Sequence, residues 1–459
     1  MFALLSFWLV GATPLHAEAS LEAGWAVVDI TPPVGYRLSG YFRERRATGA
    51  LDPLHAKALV LAQGKTRVAL VFCDLVWIPH ELSLRARRAL YQATGIPPEA
   101  CSIVATHTHT GPLYYGALRD YLHDEAIRRA GDDPGEPIDY VPLLLERIRQ
   151  SVVQACGRLR PVRLRAARLR QAPQISFNRR YHMKDGSVRF NPGVLNPNIV
   201  RPAGPIDPFV DVVFLEDPQQ AQPLASLTVF ALHLDTTGGT KYSADYPFHL
   251  EQYLKQQFGT GFVSFFASGT CGDINHIDVR HRGRRTAREL GTVLGRTVVA
   301  AQATAEPIQP ELAVRRTLLK AKAQRYSDRE IAWARETMPR VVRPGLPFLE
   351  RVRAYKIVDL QRFKDGFVPL EVHAIRLAAE TAIVTLPGEV FVELGLQLKH
   401  DSPFAHTIVM ELADGAPAYI PTSKAFREGS YETVNSRIAP GEGERLIGTA
   451  LRLLRELAD

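Results

Sequence analysis

Apolar positions along the chain alternate between unbroken runs that suit buried strands and spacings that suit amphipathic helices. Residues 67–73 (RVALVFC) are nearly all apolar, which predicts a strand buried on both faces. Residues 80–94 are helical in composition, and Gly95 with Pro97 and Pro98 ends them. Residues 100–106 predict a second strand. Strand, helix and strand in that order predict a βαβ unit with parallel strands and a right-handed crossover.

Further on, residues 210–215 and 225–232 flank the turn-rich DPQQAQP and predict a hairpin. Residues 261–266 predict another buried strand, followed by a helix over 284–302. A second strand pair is expected at 371–378 and 382–386, with a helix after Gly388. Residues 406–412 predict the last strand and 442–457 a closing amphipathic helix. The breaker-rich stretch 131–137 (GDDPGEP) predicts a surface loop. With no repeat or long linker, the pattern predicts an α/β fold of mixed β-sheets flanked by helices, in one large domain over residues 22–459.

Composition adds little to the fold: of 459 residues 46% are hydrophobic and 23% charged, an ordinary globular balance. The first 17 residues differ. A short apolar run at 3–12 is followed by Pro14 and a small-residue ending at Ala17, although no Lys or Arg precedes it. That predicts a secretory signal peptide over residues 1–17 and an exported protein, periplasmic or secreted. The run is shorter than the ~20 residues of a bilayer span. Four cysteines, Cys73, Cys101, Cys156 and Cys271, are too few for a disulfide scaffold. Cys73 and Cys156 are expected as small core residues, and all pairings stay open.

Net charge is +8, with arginine clusters at 43–46, 163–170 and 280–282. A basic balance favours anionic surfaces and leaves peripheral contact with an anionic membrane open. No helix-turn-helix, zinc-finger spacing or stacking motif accompanies it, so nucleic acid is not an expected partner. A solvated basic surface is the preferred reading.

Candidate chemistry gathers at predicted strand ends, where open α/β sheets collect ligands. Asp74, His107, His109, His233, Asp273, Glu389 and Tyr419 all follow such strands. In ATHTHTGP (105–112), an extended chain would put His107 and His109 on one face. Two adjacent imidazoles suit Zn²⁺, and rim histidines bonded to backbone are the plainer alternative. His233, after an apolar strand, reads alone as a satisfied boundary residue. Glu389, in LPGE, reads alone as a carboxylate compensating a helix N-terminus.

Taken in order, ATHTHTGP, SADYP (243–247), LPGE (386–389) and YIPT (419–422) resemble the catalytic domain of the neutral/alkaline ceramidases. So do GWAVVDITPP (24–33) and Asn178 with Arg179; the resemblance runs from residue 22 to about residue 435. It implies a zinc ion held by His107, His233, Glu389 and Tyr419, with His109 as proton handler or oxyanion stabiliser. It implies that Arg179 binds or polarises an amide oxygen or substrate hydroxyl. The implied activity is zinc-dependent hydrolysis of a linear amide, on ceramide or a related N-acyl lipid, within sphingolipid metabolism.

Two departures change that picture. The family's serine nucleophile lies in Gly-Asp-x-Ser-Pro-Asn, and here residues 272–277 read GDINHI, with Asn275 in place of the serine. Water activated by zinc is then the favoured nucleophile, with Arg179 and Asn275 binding the developing oxyanion and Asp273 in the same loop. Cys271 or Ser268 as nucleophile, and a relative that only binds metal or ligand, are the alternatives. Secondly, only residues 420–459 follow Tyr419, so no immunoglobulin-like C-terminal domain is expected. A smaller amide or ester, outside lipids, fits the residues equally well, and no oligomeric state is implied.

Overall fold

Strand Thr66–Cys73, helix His80–Thr94 and strand Cys101–Ala105 form the expected βαβ unit, the strands paired in parallel with Cys73 opposite Ala105. The computed structural model describes residues 20–220 and 222–459, so the segment read as a signal peptide lies outside them. Gly95 ends the helix in a left-handed conformation, φ 71°, which a residue without Cβ adopts at no steric cost. Two strands that the pattern did not predict, Glu22–Asp29 and His55–Gln63, extend this sheet antiparallel.

The predicted hairpin is strands Phe209–Glu216 and Pro223–Phe230. Strand Val263–Ser268 joins it in parallel, and strands Arg163–Arg170 and Glu306–Ile308 complete a second sheet. Helix Ala287–Thr304 covers it, opened by a capping box between Thr286 and Glu289. The third sheet runs Pro310–Lys322, Phe367–Ala378, Thr381–Thr385 and His406–Met410. Helix Glu442–Ala458 lays Leu446, Leu453 and Leu454 against it. A helical pair that the pattern missed, Asp328–Val341 and Phe348–Leu360, is inserted within this sheet.

All three sheets share one core, in which Val71, Phe265 and Ile383 are each at most 1% exposed. That sharing aligns their carboxyl ends. The Ala105 amide donates to the Leu412 carbonyl, Glu411 to Ser268, and Gly269 to Phe230. Three strand ends from distant parts of the chain are thereby stitched together around one spot. All four cysteines are free, with Cys73 buried and Cys156 half-buried. The 131–137 loop is less solvated than expected, since Asp133 and Glu136 are buried against Arg37 and Arg119.

Candidate metal centre and cleft

His107 leaves the end of strand Cys101–Ala105 in a positive-φ conformation, φ 81°. The two histidines therefore do not converge by strand alternation, as an extended chain would require. A local turn, held by His107 N–H donating to the Leu75 carbonyl at 2.9 Å, brings them together. His107 Nδ1 lies 2.7 Å from the Val76 carbonyl. A carbonyl only accepts, so Nδ1 carries the proton and Nε2 turns a lone pair inward.

Around that lone pair the other groups assemble. His233 Nε2 is 3.1 Å from His107 Nε2, and His109 Nε2 is 3.4 Å from it. Glu389 Oε2 stands 3.4 Å from His107 Nε2 and 3.8 Å from His233 Nε2. Two ligands on a tetrahedral zinc at its usual bond lengths stand ~3.3 Å apart, so the spacing fits one ion. Glu389 Oε2 is buried with no hydrogen-bond partner among the described residues, and such an oxygen is costly to leave unmet. The three imidazoles alone form a group able to hold a metal. His109, which the resemblance assigned to proton handling, thus stands within bonding reach of the same point.

Protonation agrees with a cation site. Burial, then the neighbouring His107, depresses His109 to about 3, and the same two causes hold His233 well below the usual imidazole range. Burial pushes Glu389 up, but His107, Arg179 and a hydrogen bond from Tyr419 outweigh it and keep the carboxylate ionised. Glu389 is not at a helix N-terminus as expected. It forms a two-residue strand, Glu389–Val390, ahead of helix Val392–Asp401, and pairs in parallel with Tyr419–Ile420. Tyr419 is buried, its phenol raised well above its usual range by burial and by Glu389, and its hydroxyl lies 3.5 Å from that of Tyr431.

Arg179 approaches from the side. Its Nε donates to Glu432 at 3.0 Å and its Nη2 to the Gly272 carbonyl at 2.7 Å, while the guanidinium lies over the Phe190 and Tyr419 rings. His107, His109, Glu389 and Tyr419 line one end of a narrow cleft with a cavity volume of about 70 Å³. Its walls are aromatic and aliphatic: Phe42, Trp77, Leu113, Tyr355 and Tyr431.

No protein-family model matches the sequence, and no curated protein matches it either. Solved structures do. Neutral ceramidase from Pseudomonas aeruginosa superposes with a TM-score of 0.73 at 18% identity, over 96% of this chain and 75% of that one. A ceramidase complexed with C2 matches at 0.72, again at 18% identity, with the same two coverages. The chain has the neutral ceramidase fold.

Within that fold the loop over residues 272–277 is held by structural bonds. Asn275 donates to Asn191 at 2.8 Å and accepts from the Ile277 amide at 3.0 Å. Asp273 accepts from Val392 N–H and from Asn178, and burial raises its carboxyl to about 6. Both are buried, like Arg179 and His233, and none of the four lines the cleft. Cys271 donates to Glu411 at 3.0 Å, and burial pushes its thiol far up, away from a nucleophilic thiolate. Ser268 donates to the Thr106 carbonyl and, among the described residues, has no imidazole partner.

Sequence reasoning missed the parts of the ceramidase fold that shape the cleft. Gly40, at φ 97°, packs so closely on His109 that a Cβ would fall 2.6 Å from the histidine's own. Arg45, expected in a solvated cluster, is 6% exposed; it lies over Tyr41 and donates to the His109 carbonyl at 2.7 Å. His276 lies 3.2 Å from Asp235, whose carboxyl is raised by burial but held down to about 2 by His276, His109 and Arg179. Tyr431 carried no local signal, because an aromatic beside a short helix reads as core.

Proposed function

We propose that the chain is a zinc-dependent hydrolase of an N-acyl (amide) bond, with His107, His233, Glu389 and Tyr419 holding the ion and His109 beside it. The observation that carries the reading is the convergence of three ring nitrogens on one point beside the unpartnered Glu389 oxygen, at the end of an apolar cleft. A bound Zn²⁺ supplies Lewis acidity that polarises a carbonyl and lets water attack near neutral pH.

The chain's own groups do the rest. His107, fixed through Nδ1 by the Val76 carbonyl, keeps Nε2 free for the ion. His109, neutral and inside the cleft, offers its Nε2 lone pair to the same point, where it can accept a hydrogen bond from the attacking water. Arg179, charged and held by Glu432, adds positive potential where an oxyanion develops. Water is the favoured nucleophile because Asn275, Cys271 and Ser268 are all engaged elsewhere.

The substrate is read as an N-acyl compound, a lipid or a smaller amide, entering through the apolar cleft. Export rests on the first 17 residues alone, and peripheral contact with an anionic membrane rests on the basic balance. No helix among the described residues is long and apolar enough to cross a membrane. A binding-only relative is the second reading, favoured by Asn275 at the serine position. Elemental analysis of the purified protein, with turnover of fluorogenic N-acyl substrates before and after chelation, separates the two. Zinc near one per chain and chelator-sensitive turnover lost in His107→Ala support the hydrolase. Zinc without turnover on any substrate supports the binder, and no retained metal overturns both.

A further inference from the structure

Phe42, half-buried, packs its ring against two aromatics of a single helix. It meets Tyr355, on helix Phe348–Leu360, edge to face with ring centroids 5.3 Å apart. It also stands 6.2 Å from Phe348, which lies 5.1 Å from Tyr431. Phe42, Tyr355 and Tyr431 all line the cleft that ends at the histidines. The two sides of the contact are held differently. Tyr355 is 5% exposed and lies under the Arg437 guanidinium, 5.2 Å from its ring centre. Asp359 fixes that guanidinium through bonds of 3.0 and 2.9 Å. Phe42 rides on a loop held by Ser39 N–H donating to the Gly111 carbonyl, by Arg45 bonding the Ser39 and His109 carbonyls, and by Glu44 accepting from Arg37.

We propose that the Phe42–Tyr355 contact is a size gate, which passes a slim, unbranched and uncharged apolar group to the histidine end and stops bulkier ones. The proposal rests on the hydrolase reading above. Slimness follows from the edge-to-face contact, which leaves no ring-wide gap, and from a Tyr355 side that cannot yield without moving a close-packed helix. Charge is excluded because the wall's polar groups already satisfy one another. Arg437 donates to Asp359 and Asn435, and Asn435 donates to Tyr431. An entering charge would have to break these bonds to find a partner.

The test is calorimetric binding of straight-chain and branched alkyl hydroxamates to the zinc-loaded full chain. Wild type, Phe42→Ala and Phe42→Trp are compared. The wild type should prefer the straight chain at least tenfold; Phe42→Ala should abolish that preference, and Phe42→Trp should sharpen it. Thermal melting checks each fold, with Phe42→Leu replacing the alanine variant if that one unfolds. An unchanged preference in the widened and narrowed variants overturns the gate alone. Failure of every hydroxamate to bind wild type overturns the hydrolase reading and the gate with it.

Discussion

Glu389 lies directly opposite Tyr419 in a two-residue parallel pairing, with Val390 opposite Ile420. Two segments that each look like a loop are thereby fixed in register, so the Tyr419 phenol reaches the Glu389 carboxylate, which itself stands beside the imidazoles. The turn that allows it is tight. Gly388 has φ 71°, and a Cβ there would fall 2.5 Å from the Ala418 carbonyl and 2.6 Å from Pro417. Asp414, at φ 55°, anchors the opposing loop through its carboxylate, which accepts from Ser83, Ser102 and the Ile103 amide.

Gly388→Ala should therefore act on the site before it acts on the fold. A strained conformation costs about 1–3 kcal/mol, and relief would push Glu389 out of register. Zinc content at equilibrium dialysis is expected to fall by tenfold or more, with a modest drop in the urea midpoint. Wild-type metal affinity in this variant would contradict the pairing argument.

Asn275→Ser restores the family's nucleophile type but not its surroundings. A serine hydroxyl cannot replace both bonds that Asn275 makes to Asn191 and Ile277. Stability should fall by about 1–3 kcal/mol in denaturant titration, and turnover should not rise. A tenfold gain in kcat would overturn the reading that water attacks directly.

Glu432 is wholly buried between Arg179 at 3.0 Å and Arg180 at 3.7 Å. Removing one partner of a buried pair costs about 3–5 kcal/mol, because the other charge is stranded. Glu432→Ala is expected to lose that much by chemical unfolding, and Glu432→Gln, which can still accept from Arg179, less. Loss below about 1 kcal/mol in the alanine variant would mean that Arg179 finds another partner or solvent.

The histidines predict a pH dependence of the metal-free protein. His109 is lowered to about 3 in the folded state, by burial first, against about 6.5 unfolded. Below pH 6.5 the unfolded chain therefore binds a proton that the folded chain refuses, so this residue's contribution is present above 6.5 and is lost as pH falls toward 3. Asp273, raised to about 6 by burial, works the other way, so the comparison must isolate the histidine. With chelator present, wild-type stability minus that of His109→Gln should rise between pH 4 and 6.5, by at most about 1.4 kcal/mol per pH unit. A flat difference would mean that His109 is hydrated in the metal-free protein.

Long buried runs were legible because neighbours along the chain carry the information. Helix His80–Thr94 ends where Gly95 says it must, and the hairpin at 209–230 follows from two apolar runs around a turn. The types of residue at the site could also be read, since a polar side chain ending a buried strand has few structural reasons to be there. The helical pair over 328–360 was missed because its apolar residues are diluted by arginines, and its buried face forms between the two helices and against Leu113, Leu118 and Leu122.

By itself, then, the sequence determined the α/β class, the main strands and helices, and the histidines, carboxylate and phenol available for a cation. Tertiary structure alone decided that His107 turns through a positive φ, that Glu389 pairs with Tyr419, that Asn275 and Asp273 serve the loop, and that Phe42 meets Tyr355. Local patterns report only what lies two or four residues away, whereas these contacts join segments brought together by three sheets with a common core.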